Sequence, residues 1–429
     1  GSLRPVYALL NLWVFSSFET LGALRILRLI GVLGICASGG ILYRHAVMRG
    51  WTKRQSALMV LMLCTMPTYQ VYASWTVATL YPYGATLSIF ALLVAQKTDH
   101  GSWRDGKFWL RNGAAVGLVA LSSMLYQPLG PFLLVPAIIE VSRYRAEVAA
   151  SRLIHYSSLI ISGIGIGGVI SWLSKPDSGL VQRATVVTDI LGKLRWFALE
   201  AFANSASLFV LPNGNIARIL ALAFAVFVMV GLYLRYGKER FWIWLVIFVS
   251  TYLLGYSPNL IVATSYAAYR TLIVISGLSV CFLFIAIQGY MTLGSGLRTA
   301  GVWLMVILTC LSLFFAQHNL QNFIVAPQVQ ELEFVRSALG RITDNVESIY
   351  MIRSEYTGDT LAPYTVYDEF GLPSTAPEWV PREMICMLLT DMGMNVEYAI
   401  EHFDPGTELE PSEGTLMIDM GELATASDD

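Results

Sequence analysis

The chain has 429 residues, of which 55% are hydrophobic and 14% are charged, and its mean hydropathy is +0.58. A soluble globular protein usually carries about 25% charged residues, so this composition excludes an ordinary soluble protein and indicates an integral membrane protein. The net charge of −2 is unevenly distributed, because residues 1–317 hold 24 Lys and Arg against 9 Asp and Glu, whereas residues 318–429 hold 4 against 21. The sequence therefore predicts a basic membrane part followed by an acidic extramembrane domain.

Residues 1–21 are apolar with polar interruptions and are interpreted as the end of a first extracytoplasmic loop. After them, residues 22–317 are expected to form a helical bundle of about ten transmembrane helices, judged by window length and hydropathy. The predicted spans are Gly22–Tyr43, Ser56–Trp75, Tyr81–Gln96, Leu110–Tyr126, Leu129–Val141, Leu153–Leu173, Ile219–Tyr233, Phe241–Tyr256, Thr271–Tyr290 and Ala300–Ala316.

Basic residues are concentrated in alternate loops, at 44–54, 97–111, 143–152, 235–240 and Arg298. Loops rich in Lys and Arg stay in the cytoplasm. We therefore expect residues 1–21, the long loop 174–215, the segment 257–270 and the tail to be extracytoplasmic, in the periplasm if the source is bacterial. A chain that starts outside at Gly1 also predicts one further span before that residue.

The uncharged run Thr271–Tyr290 follows Tyr266, Tyr269 and Arg270 directly. A fixed cation beside interfacial rings suits an anionic lipid headgroup, and an interfacial anchor is an equally good interpretation. Arg25 and Arg28 are three positions apart near the start of the first span, where two like charges repel unless an anion lies between them. Both could instead extend to the interface or pair with carboxylates of the tail.

Aromatic and amide side chains occur at predicted outside turns, namely Tyr81, Tyr83, Tyr126 and Gln127. They suit sugar recognition, but an aromatic belt at the membrane interface is the favoured interpretation. The segment with Asp189, Lys193 and Arg195 is interpreted as a solvated helix face. No metal-ligand spacing, nucleotide-binding loop or Ser/His/Asp pattern is present, and the five cysteines suggest no disulfide framework.

Residues 318–429 have the pattern of a small α/β domain. A helix is predicted over Gln328–Ile342, a strand over Glu347–Arg353, a second helix over Pro381–Gly393 and a last strand over Thr415–Met420. The domain is acidic and is expected outside the cytoplasm with the other extracytoplasmic segments.

Several stretches resemble the GT-C superfamily of membrane glycosyltransferases, and most of all the bacterial glucosyltransferases that modify O-antigen. The resemblance covers most of the chain and rests on RPVYALL before the first span, MPTYQVYASW followed by YPYGATLSIFALLVA, SYAAYRT, and YDEFGLPSTAPEW in the tail.

The resemblance implies a hexosyltransferase of the bacterial inner membrane. It would move a sugar, expected to be glucose, from a polyprenyl-phosphate donor to the lipopolysaccharide O-antigen or a similar surface glycan. A carboxylate would act as base, and basic groups would stabilise the departing lipid phosphate. Arg270 is the first candidate to bind that phosphate, followed by Arg25 and Arg28. The candidate substrate contacts are six side chains at the same end, namely Tyr81, Tyr83, Tyr126, Gln127, Tyr266 and Tyr269.

The acid of such enzymes is expected in a segment before Gly1, and Glu19 is only a weak substitute for it. A divalent metal is left open, no other cofactor is implied, and no nucleic-acid partner is expected. The rival interpretations are a lipid-linked sugar flippase or other transporter, an O-antigen polymerase, and a non-catalytic scaffold that presents the acidic tail.

Overall fold

The computed structural model describes residues 4–15, 20–96, 106–174, 185–211, 214–343, 345–354, 369–394, 398–409 and 413–425. The chain forms two compact units, the first from residues 1–13 and 28–316 and the second from residues 14–27 and 317–429. The helices up to residue 320 are α1 (Pro5–Phe15), α2 (Leu21–Met48), α3 (Lys53–Cys64), α4 (Pro67–Ser74), α5 (Tyr81–Ala95), α6 (Gly106–Leu125), α7 (Leu134–Val141), α8 (Ala146–Leu173), α9 (Ile190–Trp196), α10 (Phe202–Ala206), α11 (Gly214–Gly255), α12 (Ser257–Ile261), α13 (Ile273–Tyr290) and α14 (Ser295–Leu320).

The prediction of a helical polytopic membrane protein is confirmed, but the count of about ten spans is not. Within the described ranges, seven helices are long and apolar enough to cross a membrane, or eight if the bent pair α3–α4 is counted as one span. Two features account for the difference. The apolar helical segment Gln127–Val141 is shorter than a membrane crossing needs, and the count takes α11 as a single helix although it contains both predicted spans Ile219–Tyr233 and Phe241–Tyr256, one on each side of Gly237.

The centre of the first unit is α13, which the uncharged run in the sequence predicts. Almost every one of its side chains is buried, as expected for a helix that is apolar on all sides. It meets α11 without intervening side chains, because a Cβ added to Gly289 would lie 2.0 Å from the carbonyl oxygen of Gly231. Small residues at such crossings let helix backbones approach closely.

The long helix α11 is in fact two helices that fold back on each other at Gly237. The backbone of Gly237 has φ +75°, a conformation that favours glycine. Phe202 contacts both Phe224 and Phe248, with ring centres 6.4 and 6.3 Å apart. In a straight helix those two phenylalanines would be separated by about 36 Å, so the element is a helical hairpin.

The predicted span Ser56–Trp75 is broken rather than continuous. Helices α3 and α4 are bent by 58° at the break before Pro67. Proline has no N–H to donate and cannot continue the helix. The amide of Gln70 donates to the carbonyl of Thr65 at 2.8 Å, which satisfies one backbone group that the break would leave unpaired.

The basic loops 44–54, 143–152 and 235–240 meet at one end of the first unit, which we call the basic end. The carboxylate of Glu140, fully buried at the end of α7, accepts from Arg152 at 2.5 Å and lies 3.6 Å from Arg49. The hydroxyl of Tyr156 and the amide of Gln96 also donate to it. A buried charge needs such partners, so Glu140 joins the ends of four helices.

The second unit contains α15 (Ala326–Leu339), β1 (Ser348–Ile352), α16 (Pro381–Asp391), β2 (Ala399–Phe403), β3 (Thr415–Asp419) and α17 (Glu422–Thr425). The three strands form a parallel sheet in the order β2-β1-β3. Its core is apolar, with Val335, Leu339, Ile349, Leu388 and Ile418 fully or almost fully buried. The strand β2 is absent from the sequence prediction.

A buried carboxylate also organises the second unit. Glu331 on α15 accepts from the backbone N–H of Ser374 at 2.7 Å and from that of Thr375 at 3.1 Å. The Thr375 hydroxyl donates to the same carboxylate at 2.7 Å and lies 2.8 Å from the hydroxyl of Ser354. The loop that carries part of the motif YDEFGLPSTAPEW is therefore fixed to α15 and to the end of β1.

The glycine contact between α11 and α13 makes a testable prediction. Gly289→Ala should destabilise the protein by about 1–3 kcal/mol, because the added methyl group overlaps the Gly231 backbone and the helices must separate. The thermal unfolding temperature of the protein in detergent measures the effect. Gly165→Ala is the matched control, since Gly165 is an exposed helical glycine with open space around it, and alanine should leave stability equal or raise it slightly. Equal unfolding temperatures for the two variants would contradict the assigned contact.

The Glu140 network makes a second prediction. Glu140→Gln keeps the shape of the side chain but removes its charge from Arg49 and Arg152. We expect a loss on the order of 3 kcal/mol, the low end for breaking a buried ion pair, because the two arginine side chains are 28% and 21% exposed. Chemical denaturation in mixed micelles measures it. Glu147→Gln, at an exposed position in the first turn of α8, should cost less than about 1 kcal/mol.

Candidate functional site

Arg270 lies at the end of the first unit opposite the basic end, in a short turn over Tyr269–Thr271 that leads into α13. Its backbone carbonyl accepts from the Tyr72 hydroxyl at 2.7 Å. Arg270 is half-buried, and its guanidinium carbon lies 5.4 Å from the ring centre of Trp75 and 5.9 Å from that of Tyr266. Rings on two segments thus hold the cation at the rim of the bundle.

Arg28 is directed to the same end by the packing of α2. One turn along the helix, Gly31 approaches α4 so closely that an added Cβ would lie 2.9 Å from the carbonyl oxygen of Tyr72. Arg28, three positions before Gly31, shares that helix face and is half-buried, whereas Arg25 on the same helix is exposed. The two arginines therefore have different environments, although their spacing is that of one face.

Two of the predicted sugar-contacting tyrosines form a stack that the sequence did not predict. Tyr81 and Tyr126 lie with ring centres 4.2 Å apart and planes 4° apart, and each is less than 5% exposed. Arg4 covers the Tyr126 ring at 4.5 Å and donates to the Tyr81 hydroxyl at 2.9 Å. Tyr72 contacts Tyr81 edge-on at 5.3 Å, which connects this stack to Arg270.

We refer to Arg4, Tyr72, Tyr81, Tyr126 and Arg270 as the arginine–tyrosine cluster. The Tyr81 and Tyr126 rings are in contact, so a ligand does not fit between them and would meet the cluster at its half-exposed arginines. Arg4 was missed as a functional candidate. The sequence contained a signal for it, because Arg4 precedes the aromatic residue Tyr7 by three positions. In the structure the ring centre of Tyr7 lies 5.5 Å from that of Tyr81.

The other predicted contacts lie at the same end but in different surroundings. The Tyr83 hydroxyl donates to the carbonyl of Ile30 at 2.9 Å, so this tyrosine fastens α5 to α2. Gln127 is half-buried at the start of the segment after α6, Tyr269 is buried, and Tyr266 is 45% exposed. Of these, Tyr266 is placed to meet a ligand beside Arg270, while the weak candidate Glu19 falls outside the described residues.

Lys193 corrects the interpretation of its segment as a solvated face. It is only 4% exposed, and its ammonium donates to the carbonyl of Thr264 at 2.7 Å and to the Ser265 hydroxyl at 3.4 Å. The nitrogen also lies 4.2 Å from the ring centre of Trp196. Burial lowers the pKa of this lysine. Trp196 three positions later on the helix was the sequence signal for such a pairing; Arg195 is exposed, as predicted.

An open cleft of about 350 Å³ lies beside Lys193, lined by Val187, Thr188, Asp189, Gly192, Lys193, Ala263 and Ser265. Asp189 caps α9 by accepting from the N–H of Gly192 at 2.8 Å. A second carboxylate, Glu200, accepts from the Trp196 indole N–H at 2.6 Å. The described part of the chain contains no group of three or more His, Cys, Asp or Glu arranged to hold a metal ion.

This end of the bundle therefore combines guanidinium groups, aromatic rings and a polar cleft that shares the segment 263–270 with Arg270. Such a set can bind an anion at its arginines and hydroxyl groups in its cleft. Comparison with known proteins found no matching family model, no matching curated protein and no matching solved structure.

Proposed function

We propose that this protein is a membrane glycosyltransferase that moves a hexose from a polyprenyl-phosphate donor to a cell-surface glycan, at the membrane face where Arg270 lies. The observation that carries the proposal is the placement of Arg270, half-buried at the rim of an apolar bundle and flanked by Trp75 and Tyr266. The resemblance to O-antigen glucosyltransferases supplies the reaction class, and SYAAYRT, one of its motifs, contains Arg270.

Transfer of a hexose from a lipid phosphate requires a fixed positive charge near the leaving phosphate. In the transfer, an acceptor hydroxyl oxygen attacks the anomeric carbon while the bond from that carbon to the phosphate oxygen breaks. A carboxylate takes the hydroxyl proton, and the lipid phosphate departs with an added negative charge. Arg270 is suited to stabilise that charge through paired N–H donors, a geometry that arginine offers to phosphate and lysine does not.

The surroundings of Arg270 suit a donor that arrives through the membrane. An isoprenoid chain requires an apolar environment, and exposed large apolar side chains lie along α2, α8 and α11. The headgroup requires the polar rim, where Arg28 lies on the face of α2 that packs against Tyr72. The lipid tail would thus contact the apolar surface of the first unit, and the phosphate would contact its polar rim.

Substitution of Arg270 tests this assignment. Arg270→Ala should reduce transfer from polyprenyl-phosphate glucose by at least about tenfold, because a charge-assisted hydrogen bond contributes about 1.5–3 kcal/mol. Arg270→Lys should retain part of the activity, since charge is kept but the paired geometry is lost. The rate is measured as labelled glucose incorporated into acceptor glycan by membranes with equal amounts of inserted protein.

Arg218→Ala is the matched control. Arg218 is an exposed arginine in the first turn of α11, at the same end of the unit, and it bonds Asn215 on its own helix. Arg218→Ala changes the net charge by the same amount as Arg270→Ala and should leave transfer unchanged. Normal transfer by Arg270→Ala would overturn the site assignment. Equal losses of transfer in both variants would also overturn it, because the loss would then come from surface charge in general.

One observation favours the transport alternative. The bent pair α3–α4 is a broken helix, and transporters commonly bind substrates at broken helices, usually in pairs related by an internal repeat. Movement of a lipid-linked sugar across proteoliposome membranes, with no glycosidic product in the presence of acceptor, would replace the transferase proposal with this one.

A further inference from the structure

The cleft beside Lys193 has preformed walls. One wall is the segment 187–193, the other is the segment 263–265, and an antiparallel bridge between Val186 and Val262 joins them. The N–H of Val187 donates to the carbonyl of Ile261 at 2.9 Å, and the N–H of Ala263 donates to that of Thr185 at 2.8 Å. Its volume of about 350 Å³ lies at the lower end of the range for small-molecule sites.

The polar groups of the cleft can both donate and accept. The buried ammonium of Lys193 is held by Thr264 and Ser265 on the opposite wall. Because Ser265 accepts from Lys193, its own O–H is left to donate. Thr188 adds a second hydroxyl, and Asp189 adds carboxylate oxygens that only accept. Convergent donors and acceptors of this kind match a ligand that carries several hydroxyl groups.

The charges of the lining favour a neutral ligand over an anion. Lys193 and Asp189 contribute one positive and one negative charge to the same small cleft. An anion attracted by the ammonium would be repelled by the carboxylate that lines the same cleft, whereas a neutral hydroxyl group can accept from the ammonium and donate to the carboxylate. A single lysine already bonded to two oxygens is also a poor anion site compared with the arginines of the arginine–tyrosine cluster.

The helix that carries Lys193 has an irregularity of its own. Immediately after α9, residues Phe197–Ala201 form a π-helical turn. Such turns are rare, cost stability and occur frequently at functional sites. Here the turn contains Glu200, whose carboxylate holds the Trp196 indole below Lys193. The π-helical turn thus helps to hold Lys193 in place through residues that do not line the cleft.

We propose that this cleft binds a neutral saccharide. Its identification as the acceptor of the transfer rests on the proposed function, whereas the binding itself does not. Ser265 lines the cleft and Arg270 follows five positions later, so at most about 18 Å of extended chain separates them. One segment would therefore present the acceptor hydroxyls and the donor phosphate to each other.

Direct binding tests the proposal without any transfer reaction. The full chain in detergent is titrated with glucose, galactose, mannose and rhamnose, each followed by saturation-transfer NMR and by the fluorescence of the eleven tryptophans, which include Trp196 beside the cleft. We expect at least one of these sugars to bind. Ser265→Ala, which keeps the lysine bond to Thr264, and Lys193→Met should each weaken binding at least about tenfold, as loss of a polar contact of about 1.4 kcal/mol implies.

Two matched controls come from neighbouring positions. Thr264→Ala removes the adjacent hydroxyl, which does not line the cleft, and leaves the carbonyl that Lys193 uses. Arg195→Ala removes an exposed cation from the same helix. Both should bind sugar as the unchanged protein does. Absence of binding by all four sugars, or equal binding by Ser265→Ala, would overturn the proposal, and tighter binding of glucuronate or phosphate would overturn the assignment to a neutral ligand. Sugar binding without transfer would contradict only the proposed function.

Discussion

The direct contact between the backbones of Gly231 and Gly289 determines how the first unit is arranged. No side chain separates the two helices at this crossing. Helix α13 is buried along almost its whole length, and its two ends lie at opposite ends of the bundle. Arg270 precedes the helix at one end, and Gln288 meets Arg235 at the other. The rim that carries the candidate site is thus positioned both by packing in the apolar interior and by polar contacts such as that of the Tyr72 hydroxyl with the Arg270 carbonyl.

The two ends of the bundle hold their arginines with overlapping sets of contacts. At the basic end, Arg152 donates to the buried carboxylate of Glu140 and also lies over the Tyr144 ring at 4.8 Å. At the opposite end, Arg4 lies over the Tyr126 ring and Arg270 beside that of Trp75. Ring contacts with arginine therefore occur at both ends, whereas among the described residues of the first unit the buried carboxylate belongs to the basic end.

The sequence predicted those features that depend on local composition. The uncharged run Thr271–Tyr290 identified the central helix, and the charge difference between the two parts of the chain identified the acidic α/β tail. Features that depend on distant partners were missed. Lys193 has a polar local pattern, and its burial comes from residues 264 and 265. Glu140 could have been found, because a lone carboxylate within an apolar run needs a partner. The strand β2 is largely exposed, so alternation of apolar residues did not mark it.

The parallel sheet of the second unit has a consequence for biosynthesis. Its central strand β1 pairs with β3 across 67 residues of chain, as the Ser348–Thr415 hydroxyl contact shows. Pairing over such a separation carries a loop-closure cost and is slow. Until residue 419 has left the ribosome, β1 has an open edge, by which time the membrane helices have long been made. The sheet of this domain therefore forms only after the helices of the first unit have been synthesised, and until then the open edge of β1 is accessible to quality-control proteases.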